Sequence, residues 1–100
     1  MEVRGGIMEM FEFYLDKPIP ATKSKKQKVL WMLEIARASN RKIKSMTFVY
    51  DYKIPRISGT IHQLRQDGHD ILSHDLSNGS CEYELVATAK EIESMRNLIE

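Results

Sequence analysis

Apolar residues recur at helical spacing in five stretches of this chain and alternate in two. Residues 7–15, IMEMFEFYL, carry Ile7, Met10, Phe11, Tyr14 and Leu15 at the i, i+3, i+4, i+7, i+8 positions of an amphipathic helix. The alternation of Phe11, Phe13 and Leu15 also suits a short strand. Pro18 and Pro20 then interrupt regular structure. Ser24 stands where an N-cap belongs, before KKQKVLWMLEIARA. Val29, Leu30, Met32, Leu33, Ile35 and Ala36 give that helix a broad apolar stripe, with Trp31 beside it as a packing residue, and Ser39-Asn40 ends it.

Ile43, between Lys42 and Lys44, predicts a brief extended segment. Ser45 is expected to cap a short helix, MTFVYDY, with Met46, Val49 and Tyr52 inward. Lys53 and Ile54 form a turn, and Pro55 suits the first turn of the next helix, where its missing N–H costs nothing. That helix places Ile57, Ile61 and Leu64 in one arc, which makes them core. Gly59, His62, Gln63 and Gln66 fall opposite, with Arg56 and Thr60 at the edge of the outward arc. Gly68 supplies a left-handed stop. Strands are expected over 70–76 and 82–86, around an Asn-Gly hairpin turn in Ser-Asn-Gly-Ser, with Tyr83 and Leu85 on one face. Thr88 and Glu91 form a capping box that opens a last helix, with Ile92, Met95 and Ile99 on one side.

Helix, short strand, helix, turn, helix, hairpin, helix is an α+β, mostly α, order. It predicts a winged helix-turn-helix: a three-helix core with a β-hairpin wing, plus N- and C-terminal extensions. The divisions fall at 1–22 for the N-terminal extension, 23–86 for the winged domain and 87–100 for a C-terminal amphipathic helix. A chain of 100 residues supports one modest core.

The run Arg56-Ile57-Ser58, Ile61-His62-Gln63-Leu64-Arg65 and Asp67-Gly68-His69-Asp70-Ile71 carries a further signal, together with Ile43, Ser45, Met46, Tyr83 and Leu85. In these residues the segment 43–86 resembles the winged helix-turn-helix domains of small phage, prophage and mobile-element proteins. With the helix at 24–39, the resemblance covers about two thirds of the chain. The central run is specific and the remainder generic. Three positions depart from the family pattern. His69 stands where an aromatic residue is usual, and Lys53 where glycine is frequent. The wing is acidic, with Asp75, Glu82 and Glu84, which works against a wing-to-phosphate contact. The resemblance implies double-stranded DNA as partner and the helix from Pro55 to Gln66 in the major groove.

Charge agrees with that implication. The net charge is only +1. Residues 17–65 nevertheless hold twelve bases against two acids, whereas 1–16 and 66–100 are both net acidic. A local basic field steers polyanions whatever the overall charge. Arg56 suits guanine and Gln63 and Gln66 suit adenine, because each makes paired hydrogen bonds to a base edge. Ser58, Gly59, Thr60 and His62 share the helix, and Gly59 leaves room for close backbone approach. Lys44 and Ser45 precede the second helix, and Lys53 sits in the turn. Lys25, Lys26 and Lys28 crowd the start of the first helix, against its dipole, which suits either a bound phosphate or a solvated lysine cluster.

No chemistry points to an enzyme: there is no phosphate loop, nucleophile elbow or catalytic carboxylate pair. His62, His69 and His74 match no zinc spacing, and His69 and His74 are expected on opposite faces of a strand, so neither metal nor cofactor is expected. The lone Cys81 fits a reducing cytosol. Acids within the first thirteen residues argue against a signal peptide, and no apolar run is long enough for a membrane span. A cytoplasmic location is expected, in a bacterial host if the protein is phage-encoded. The apolar stripes at 7–15 and 88–99 predict a homodimer through one or both. The competing reading is a non-enzymatic protein-interaction module on the same scaffold.

Overall fold

The computed structural model describes residues 12–21 and 23–99. Strands β1 (Phe13–Tyr14) and β2 (Lys17–Pro18) form a small antiparallel hairpin. Helix α1 spans Lys25–Ala38, and β3 (Ile43–Lys44) leads into a π-helical turn, Thr47–Asp51. Helix α2 (Ile57–Gln66), strands β4 (Asp70–Asp75) and β5 (Cys81–Ala87), and helix α3 (Ala89–Ile99) complete the order. The larger sheet is antiparallel, in the order β3-β5-β4. This is an α+β fold with one core. Val29, Met32, Leu33 and Ala36 of α1 meet Ile57, Ile61 and Leu64 of α2, and Ile43, Ile71, Tyr83 and Leu85 close the sheet side. Among the described residues no helix is long and apolar enough to cross a membrane.

Local chemistry explains most boundaries. Ser24 Oγ accepts the Gln27 N–H and Gln27 Oε1 accepts the Ser24 N–H, a reciprocal cap that opens α1. Gly68, at φ +104°, ends α2: its N–H donates to Arg65 O and the His69 N–H to Leu64 O, the two bonds of a Schellman stop. In the wing, Leu76 O accepts the Gly79 N–H, and Gly79 adopts φ +88°. The loop is therefore a turn followed by a left-handed residue. Asp70 pairs with Ala87 and Ile71 with Leu85, which leaves Val86 as a bulge on β5. At α3, Thr88 and Glu91 exchange the two bonds of a capping box.

The structure corrects several expectations. The helix expected over 7–15 does not extend into its described part: Phe13 and Tyr14 are strand, and Leu15 and Asp16 make the hairpin turn at φ 51° and 64°. Ile7, Met10 and Phe11 lie outside the described residues. The segment after Ser45 is wound as a π turn: Phe48 is fully buried, Val49 and Tyr52 pack half-buried against the core as expected, and Met46 is 45% exposed instead of inward. Ser45 caps nothing there; its Oγ accepts the Cys81 N–H of β5 at 3.3 Å. Helix α2 starts at Ile57, two residues later than Pro55. Thr60 is buried rather than outward.

Candidate nucleic-acid interface

The turn into α2 is strained at two basic residues. Lys53 and Arg56 both adopt φ 56°, the left-handed region that costs a non-glycine residue about 1–2 kcal/mol. Such strain persists where flanking packing dictates it. Here Ile54 and Ile57 are both buried, and the Ile54 N–H donates to Phe48 O at 3.0 Å. Anchored on both sides, the chain turns left-handed at Lys53 and again at Arg56. Lys53 thus holds, without being glycine, a backbone conformation that glycine adopts freely. Arg56 is the N-cap of α2, and its side chain caps nothing.

Packing α1 against α2 brings distant residues together. Lys25, Lys26, Arg56, Gly59, Thr60 and Gln63 line one surface groove of about 340 Å³, with Pro55 at its edge. A Cβ added at Gly59 would meet nothing within 4 Å, so no helix crossing requires that glycine. Ser58, His62, Gln63 and Gln66 are exposed on α2. Thr60 lines the groove although it is buried.

The remaining sequence candidates do not join this groove. The Lys28 ammonium pairs with Glu12 and lies 5.8 Å from the Tyr52 ring centroid, so it serves the N-terminal hairpin. Lys44 sits on β3, opposite Glu82 in register, in a separate hollow with Arg41, Lys42 and Thr47. Ser45 is engaged by β5. Lys53 is exposed in the turn but does not line the groove.

Part of the basic charge serves the fold. Arg37 makes a two-pronged bond to Glu91, 2.8 Å at each prong, and a third to Val86 O. Arg65 Nε donates to Ile71 O and a terminal nitrogen to Ser73 Oγ, tying α2 to β4. Lys26 has an acidic partner that no local pattern announced: Asp67 Oδ2, 2.8 Å away. The Arg37 guanidinium, followed by the capping bonds from Thr88, holds the Glu91 carboxyl down at about 2. Burial pushes the Tyr83 hydroxyl up to about 12.

Two of the three histidines have structural partners. His69 precedes β4 rather than lying in it, and its Nδ1 accepts the Ala89 N–H at 2.9 Å, satisfying an end donor of α3. His74 Nε2 pairs with Glu84 at 2.8 Å. No cluster of three metal-ligating side chains occurs among the described residues. No protein-family model, curated protein or solved structure matches the chain.

Proposed function

We propose that the chain is a winged helix-turn-helix DNA-binding protein of the phage and mobile-element type, docking α2 in the major groove. One observation carries the reading: two lysines of α1 and the N-terminal half of α2 converge on one groove beside an open glycine. The element order and the β3-β5-β4 sheet order agree with a wing formed by β4 and β5.

Roles follow from chemistry. Arg56 and Gln63 carry the paired donors and acceptors that read guanine and adenine edges. Ser58, His62 and Gln66 share the exposed face. Gly59 lets the α2 backbone approach the duplex. Lys25, Lys26 and Lys53 neutralise phosphates. The lysines at the start of α1 work against its dipole, a cost that a bound phosphate offsets. The first-turn N–H groups of α2, uncapped by any side chain, add a phosphate contact. Lys28 is excluded from this set because Glu12 and Tyr52 hold it.

The test is binding to a mixed-sequence duplex while salt is raised from about 50 to 200 mM, where phosphate contacts weaken affinity steeply. Steep weakening supports the reading, and no binding at the lowest salt removes it. The second outcome favours the protein-interaction module, for which the exposed Val86 and Met95 are the supporting observation.

A further inference from the structure

Helix α3 is held to the body at its first turn. Arg37 grips Glu91, His69 accepts the Ala89 N–H, and Ile92 is half-buried. Beyond Ile92 the side chains through Leu98 are exposed, Met95 by 60% and Leu98 by 85%. A helix this short is marginal in water without packing. Its apolar side nevertheless continues onto the sheet at Val86, which is 45% exposed and lines the same hollows as Met95.

Two hollows flank this surface. Asp70, Val86, Ala87, Ile92, Met95 and Arg96 line one of about 500 Å³. Val86, Ala87, Lys90, Glu91, Ser94 and Met95 line another of about 530 Å³. Val86, Ala87 and Met95 belong to both, so they form an apolar ridge between two depressions.

We propose that this ridge and its hollows are the interface of a two-fold dimer of this chain, the ridge of each copy entering the Asp70–Arg96 hollow of the other. The occupant follows from self-complementarity. One surface carries both the protruding apolar side chains and the depression to receive them, as a closed two-fold contact requires. The receiving hollow also carries both signs of charge, Asp70 and Arg96. A second copy presents Arg96 to Asp70 and Asp70 to Arg96, one pair on each side of the axis. A ligand of single sign satisfies only one of them. The proposal stands independently of DNA binding.

Sedimentation equilibrium of the full chain from about 5 to 100 µM, the range in which micromolar dimers dissociate, tests it. The expected result is a dimer that Met95→Asp converts to monomer with an unchanged circular dichroism spectrum, since Met95 is exposed. Asp70→Arg and Arg96→Asp are each expected to weaken the dimer about tenfold, and the double reversal to restore it, the signature of a coupled pair. A single-chain mass at every concentration overturns the proposal. So does a dimer that survives Met95→Asp, or a double variant no stronger than the single ones.

Discussion

The Lys26 ammonium lies 2.8 Å from the Asp67 carboxylate, joining the first turn of α1 to the C-terminal end of α2. A groove lysine assigned to phosphate is therefore partly neutralised within the protein. Both side chains are more than 40% exposed, so the pair itself adds little stability. Asp67→Asn is expected to leave the melting temperature nearly unchanged and to tighten binding to any duplex. The salt slope should steepen by up to about 0.9, one phosphate contact. An unchanged slope in a binding titration would mean that Asp67 does not compete with phosphate for Lys26.

Arg56 offers a separation of fold from function. Glycine adopts φ 56° freely, so Arg56→Gly relieves strain that Arg56→Ala keeps. Arg56→Gly is expected to match or exceed the wild-type stability, by up to about 1 kcal/mol. It should also lose about 1–3 kcal/mol of affinity for a preferred site and much less for random DNA. Thermal melts and paired binding isotherms read the two effects. Equal losses on both DNAs would make Arg56 a phosphate contact.

Gly59→Ala tests the open position on α2. With nothing within 4 Å of the added Cβ, helix propensity alone predicts a stability gain of up to about 1 kcal/mol. If the duplex approaches the backbone there, affinity falls while stability rises. A variant that is more stable and binds equally well would remove close approach as the reason for this glycine.

Much of this arrangement was legible in local chemistry. Ser24, Gly68, Asn78-Gly79 and Thr88 each sit where a short-range rule puts them, and the Ile57, Ile61, Leu64 arc is a plain 3.6-residue pattern. The misreadings share a cause. Alpha-helical spacing after Ser45 points Met46 inward, whereas π winding turns Phe48 inward in its place. Proline suits a first helical position, but a left-handed Arg56 stands between Pro55 and the helix. Leucine, lysine and arginine do not favour left-handed backbone, yet the two-residue hairpin turn requires it at Leu15, and the buried Ile54 and Ile57 flank it at Lys53 and Arg56. The groove combines both cases: Arg56, Gly59 and Gln63 were readable on one helix, whereas the junction with Lys25 and Lys26 exists only once α1 and α2 pack.

Acid should loosen the anchor of α3. Glu91 titrates at about 2 in the folded chain, below its ordinary 4.5, because Arg37 and Thr88 bind the carboxylate. A depressed carboxyl contributes stability above its unfolded value and loses it as pH falls toward the folded value. Glu91→Gln should therefore lower the melting temperature at pH 7, and the gap should close between about pH 4.5 and pH 2. A gap of constant size across that range would show that the ion pair adds nothing.

The central claim is that the groove between α1 and α2 meets the DNA backbone. The most direct measurement compares salt slopes of duplex binding for the wild type and a Lys25→Gln, Lys26→Gln double variant of equal melting temperature. Weaker binding to all sequences is expected, with a slope shallower by about 0.9 for Lys25 and by a smaller further amount for Lys26, which Asp67 partly neutralises. Identical slopes for the two proteins would contradict it.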